Sequence, residues 1–111
     1  MELNERQQGG VLIVQPRGRI DNTTARSFGD QLAEVIRSGS HRVVIDFQQI
    51  SFVSSAGFRA LLICRKLINE LQGKLVLCGL SPEIGRVFEI GAFTELFVIC
   101  GTSDEGVGRA Q

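Results

Sequence analysis

The chain has 111 residues, 43% of them hydrophobic and 22% charged, with twelve basic residues set against twelve acidic ones. That is enough apolar side chain to close a core, too little net charge to favour disorder, and too short a chain for a second domain of ordinary size. The cancelled charge argues against nucleic acid and anionic membrane as partners, no apolar stretch approaches the roughly 18 residues that span a bilayer, and residues 1–10 are polar where a signal peptide needs an apolar run.

Beyond the polar N-terminus, Val11 to Val14 is a short, largely β-branched run, and Gly18-Arg19-Ile20-Asp21 follows after Pro16. Proline cannot donate to a strand ladder, so this opening pair of strands, or single bent strand, is expected near a sheet edge. The period then changes. Ala25, Phe28, Leu32, Val35 and Ile36 fall on one stripe of a helix, which Asn22 or Thr23 can cap and which ends before Gly39. Val43 to Phe47 is nearly continuous in apolar character, the pattern of a central strand covered on both faces.

A short connector is expected next, and then a second helix from about Ser55 to Gln72. Its inward stripe would be Ala60, Leu61, Cys64, Leu67, Ile68 and Leu71, with Gly73 as its stop. Leu75 to Cys78 reads as another buried strand. Ser81-Pro82-Glu83 starts a third helix, because proline at the first helical position lacks only an amide that would be unpaired anyway, and Ile84, Val87 and Phe88 form its inward face. Leu96 to Cys100 supplies the last strand. In the tail, Ser103-Asp104-Glu105 is a weak helix start because Gly106 and Gly108 follow.

The order is strand, strand, helix, strand, helix, strand, helix, strand, which predicts an α/β fold: a mainly parallel or mixed sheet of four to five strands with helices packed against it. One domain is expected over residues 1–111, with its core at about 10–101 between a polar N-terminus and a glycine-containing tail. In such sheets, sites gather beyond the carboxyl ends of the strands, so residues 46–56 and the Asp21 loop are the candidate region.

Catalytic chemistry has little to build on. Cys64, Cys78 and Cys100 are an odd number within apolar segments, which suits buried thiols in a reducing compartment, and a cytoplasmic location is expected. Their spacings match no zinc motif, and His41 reads as a surface loop residue, so neither metal nor cofactor is expected. Gly73-Lys74-Leu75 lacks the rest of a phosphate-binding loop. Asp46, which interrupts an apolar strand, reads as an anchor for the next loop through backbone amides rather than as half of a carboxylate pair with Asp21.

The segment Phe52-Val53-Ser54-Ser55-Ala56-Gly57-Phe58 carries more. A hydroxyl in the first turn of a helix either caps unpaired amides or, once phosphorylated, places a dianion at the positive end of the helix dipole. Local chemistry alone favours the cap. Ala56 and Gly57 leave room for a partner to approach, and the site would be open rather than clefted.

Val43-Val44-Ile45-Asp46-Phe47 followed by this turn, with Gly18-Arg19-Ile20-Asp21 upstream, resembles the signature of STAS domains of the anti-sigma factor antagonist type, and the element order is similar over nearly the whole chain. The resemblance implies a bacterial, non-enzymatic switch protein. Its unphosphorylated form would bind an anti-sigma factor that is also a serine kinase, which frees the sigma factor and regulates transcription. Phosphorylation would switch that binding off, and a metal-dependent serine phosphatase would reset it. The acceptor falls on Ser55, with Ser54 as second choice, because Ser54 stands where many members carry aspartate. The implied partner surface comprises Asp21, Asn22, Thr23, Ser54, Ser55, Ala56, Gly57 and Arg59. For Asp21, capping the first helix is an equal alternative, and for Arg59 a solvated charge is the default. The other function open to this fold is a docking subunit of a transporter or signalling scaffold that is never phosphorylated. Oligomeric state is left open.

Overall fold

Strand β1 (Leu3–Gln8) leads through a turn at Gly9 and Gly10, both at positive φ (58° and 79°), into β2 (Val11–Pro16). A two-residue Gly-Gly loop of this kind matches the natural twist of a hairpin. The chain continues with β3 (Gly18–Ile20), α1 (Ala25–Arg37), β4 (Arg42–Asp46), β5 (Ile50–Val53), α2 (Ser55–Glu70), β6 (Lys74–Cys78) and α3 (Pro82–Ile90). A 3₁₀ turn (Phe93–Glu95), β7 (Val98–Cys100) and α4 (Ser103–Ala110) complete it. The computed structural model describes all of residues 1–111.

The expected α/β class is found: a five-stranded mixed sheet ordered β1-β2-β4-β6-β7, in which only the β1–β2 pair is antiparallel, plus a two-stranded parallel sheet of β3 and β5. Side-chain alternation sends Leu12, Val14, Val43, Ile45, Leu75 and Leu77 into a large cluster with Phe28, Leu32, Leu61, Ile68, Ile84 and Phe88 of α1, α2 and α3. The opposite faces of the same strands carry Val11, Ile13, Val44, Val76 and Cys78, which pack on Val107 and Ala110 of α4. The central strand is therefore covered on both sides, as its continuous apolar run requires.

Several sequence expectations are corrected. The core does not stop at residues 10 and 101: Met1 and Leu3 pack against the large cluster, and Val107 and Ala110 are buried on the far face. The N-terminus is a strand whose residues are almost all exposed, so it shows no apolar alternation to read. The opening strands do lie near sheet edges, as expected: β2 is one strand in from the edge strand β1, and β3 pairs only with β5; Pro16 sits at the last position of β2, and the Arg17 amide resumes the bonding to Glu2 at 3.3 Å. The connector before the second helix is strand β5.

The last strand begins at Val98, because the 3₁₀ turn and the buried Phe97 take up the preceding residues. Phe97, Phe88, Phe58 and Phe93 cluster there with ring centroids 4.8 to 6.2 Å apart, Phe58 stacked on Phe93 and the other pairs edge to face. Val87 and Leu71, expected inward, are 46% and 39% exposed. After α2 the left-handed residue is Gln72 (φ 59°). Gly73 is required for a different reason: a Cβ there would come within 2.1 Å of the His41 carbonyl oxygen.

Candidate functional site

β3 and β5 run parallel, with Ile20 opposite Val53, so the loops that leave them emerge side by side. The Ser54 amide donates to the Ile20 carbonyl at 2.8 Å, which ties the start of α2 to the residue before Asp21. Asp21 to Thr23 and Ser54 to Ala56 thereby lie side by side.

The two serines have separate jobs. Ser54 is the N-cap, in extended conformation, and its hydroxyl oxygen accepts the Gly57 amide at 3.2 Å. Ser55 is the first residue of the helix; it is exposed and its hydroxyl engages no partner. It stands where the first-turn amides and the helix dipole favour negative charge, with no acidic residue in that turn.

Gly57 is buried in the first turn of α2. A Cβ there would lie 2.8 Å from the Ile20 side chain, 2.9 Å from that of Val53 and 3.2 Å from the Ile20 carbonyl oxygen. Glycine lets the helix start close against β3 and β5. Ala56 is half-buried, while Arg59, one turn past Ser55, is exposed and free of any carboxylate.

Neither Asn22 nor Thr23 caps α1; the capping position is Thr24, whose side chain caps nothing, and the turn is organised by Asp21. Its carboxylate accepts from the Thr23 amide at 2.9 Å and the Thr23 hydroxyl at 2.7 Å, and its carbonyl accepts the Thr24 and Ala25 amides. The Thr23 side-chain hydrogen bond, followed by that of its amide, holds the Asp21 carboxyl below its ordinary value of 3.8. Asn22 and Thr23 are exposed beside it. Arg19 Nε lies 3.7 Å from the Asp21 carboxylate, and the same guanidinium sits 4.4 Å from the centre of the Phe52 ring.

Arg19 and Phe52 thus belong to this surface although sequence reasoning missed them. The readable signal is Phe52 within the signature turn, which is hidden when the segment before α2 is read as a connector and not as β5. Asp46 is buried at the end of β4, where it accepts the Gln48 amide at 2.9 Å and the Gln15 side chain at 3.1 Å. It holds its loop and belongs to a network separate from that of Asp21.

A groove of about 300 Å³ between α1 and α2 opens next to Ala56, walled by Arg26, Asp30, Arg59 and Ile63. Burial pushes the thiols of Cys64 and Cys78 up to about 11 and about 12, out of the range of useful nucleophiles. The region offers an exposed hydroxyl, small side chains and a hydrogen-bonded carboxylate on an open surface.

The family model of the STAS domain matches residues 2–106. Among curated proteins, the chain is similar to the provisionally named anti-sigma factor antagonist BtrV of Bordetella bronchiseptica, at 34% identity over 94% of this chain and 90% of that one. Among solved structures it is similar to a provisionally named anti-sigma factor antagonist from Thermotoga maritima, with a TM-score of 0.92 at 15% identity over 97% of this chain and 93% of that one. It is also similar to the Bacillus cell fate determinant SpoIIAA in its phosphorylated form, with a TM-score of 0.73 at 17% identity over 99% and 100%.

Proposed function

The chain belongs to the STAS domain family, and from that membership we propose that it is an anti-sigma factor antagonist, a binding protein rather than an enzyme. Its unphosphorylated form docks on an anti-sigma factor with serine kinase activity through the surface of Asp21, Asn22, Thr23, Ser54, Ser55, Ala56 and Arg59. The anti-sigma factor is thereby kept from its sigma factor. The kinase transfers the γ-phosphoryl group of ATP to the Ser55 oxygen, ADP leaves, and a metal-dependent serine phosphatase reverses the modification.

The observation that carries this reading is the division of labour between the serines. The Ser54 hydroxyl is spent on the helix cap, whereas that of Ser55 is exposed and unbonded at the positive end of the α2 dipole. A phosphate there adds about 1.5 to 2 negative charges without disturbing any internal contact. At a docked interface the same charge would be desolvated, and where no cation meets it the complex is released. The name of BtrV supports the antagonist role, and the solved structure of SpoIIAA in a phosphorylated form, which shares this fold, supports the phosphorylation reading.

The test is to incubate the protein with the serine-kinase anti-sigma factor of the same genome and ATP, and then to measure intact mass and binding. One phosphate is expected on the wild type and none on Ser55→Ala, with Ser55→Ala binding persistently and Ser55→Asp weakly. Phosphate still added to Ser55→Ala would move the acceptor to another residue. Binding without any phosphate uptake would instead indicate a fixed docking module.

A further inference from the structure

The open groove of about 300 Å³ between α1 and α2 has an apolar floor, built from Ala25 and Gly29 of α1 and from Ala56, Ala60 and Cys64 of α2. The helices meet closely beneath it. A Cβ on Gly29 would stand 3.2 Å from that of Ala60, and the Cys64 thiol donates to the Gly29 carbonyl at 3.7 Å. These contacts fix the shape of the groove, since packed helices do not shift freely past one another.

Two side chains on the α2 wall have no role within the chain. Ile63 is 60% exposed and packs on neither hydrophobic cluster. Lone exposed apolar side chains are ordinary on a protein surface, but Ile63 borders a concave apolar floor, so apolar surface runs on from it into the groove. Arg59, one turn before it, is exposed and forms no ion pair. Across the groove, Arg26 and Asp30 lie 3.9 Å apart and highly exposed, a weak pair that is neutral as a unit. The groove therefore presents one unanswered charge, the cation of Arg59.

The groove is also continuous with the docking surface, because Asn22, Ala56 and Arg59 belong to both. Ser55 and Ile63 are separated by about 12 Å along the helix axis. A standard interface covers about 800 Å² of each partner, a patch roughly 30 Å across, so a partner seated over Ser55 extends over the groove.

Resting on the docking role above, we propose that this groove receives an apolar side chain of the kinase anti-sigma factor, that a neighbouring carboxylate of that partner pairs with Arg59, and that Ile63 is an anchor of the complex. Ser55 sets whether the partner is retained, and the groove supplies apolar burial that the polar turn around Ser55 cannot.

The test measures binding of the full chain to the serine-kinase anti-sigma factor of the same genome, with ADP in place of ATP so that no phosphate is transferred. Ile63→Glu should weaken binding about tenfold or more, and Ile63→Leu should bind within about threefold of the wild type. Ile63→Ser, which adds no charge, gives a second reading if Ile63→Glu folds poorly. Both Ile63→Ser and Ile63→Leu should nearly keep the urea midpoint, because Ile63 is not part of the core. Arg59→Gln should flatten the salt dependence of binding, and an unchanged salt dependence would overturn its pairing with a carboxylate. Wild-type affinity in Ile63→Glu and Ile63→Ser, with Ser55→Asp still weak, would overturn the groove and leave the docking role standing. A wild type that does not bind this kinase at all would overturn both. If Ile63→Glu instead abolishes self-association of the chain in sedimentation without the kinase, and leaves kinase binding unchanged, the groove joins two copies and the proposal fails.

Discussion

At the scale of single residues, the decisive pair is Ser54 and Ser55, neighbours of identical chemistry in different circumstances. The helix begins between them, so Ser54 in extended conformation turns its oxygen back to the Gly57 amide, while Ser55, already helical, points away from it. Loss of an N-cap costs about 1 kcal/mol, whereas an exposed substitution without partners falls within about 0.5 kcal/mol. Ser54→Ala should therefore lower the urea midpoint and still accept phosphate, and Ser55→Ala should leave the midpoint nearly unchanged. The reverse order of stabilities would show that the cap had been assigned to the wrong serine. The candidate residues were legible from the signature turn, but this division was not, since either serine can cap a helix until its starting residue is known. Gly57 teaches the same lesson: its value is internal, in letting α2 meet Ile20 and Val53.

At the scale of elements, those with a strong apolar period were readable and those stabilised by their neighbours were not. α1 and α2 show their stripes plainly. β1 is polar at nearly every position and exists because β2 offers its edge; the Gly9-Gly10 turn was the signal to have used. α4 contains two glycines and would be marginal alone. It is stabilised by the Thr102 cap, whose oxygen accepts the Glu105 amide at 3.2 Å, and by Val107 and Ala110 on the far face of the sheet. Gly106 itself allows this docking, since a Cβ there would stand 3.0 Å from the Val44 side chain. Val107→Ala should cost about 2 kcal/mol and lower the melting midpoint by roughly 10 °C. An unchanged midpoint would mean that α4 does not contribute to the fold.

At the scale of the whole molecule, the five-stranded sheet is a wall covered on one side by α1, α2 and α3 and on the other by α4. β4 and β6 lie inside it with a partner on each side, whereas β1 and β7 are edges and β3 has only β5. Local openings release the least covered backbone first. Hydrogen exchange should find the slowest amides in β4 and β6 and faster ones in β3 and β7; equal protection in β3 would show that the small sheet opens only with the large one. The Ser55 turn adjoins this small sheet, at the margin of the main core.

Sequence alone determined the α/β class, the two-sided burial of Val43 to Ile45, the stripes of α1 and α2, and the signature around Ser55, because each depends on local period or on a short contiguous pattern. Tertiary structure decided which strands are edges, whether the polar N-terminus and the glycine-bearing tail join the fold, and which serine hydroxyl is free. It also brought Arg59 and Ile63 of α2 beside Ala25 and Gly29 of α1 along one groove. Those outcomes depend on pairing and packing between residues far apart in the chain, and no local pattern encodes which distant backbone or side chain will be the neighbour.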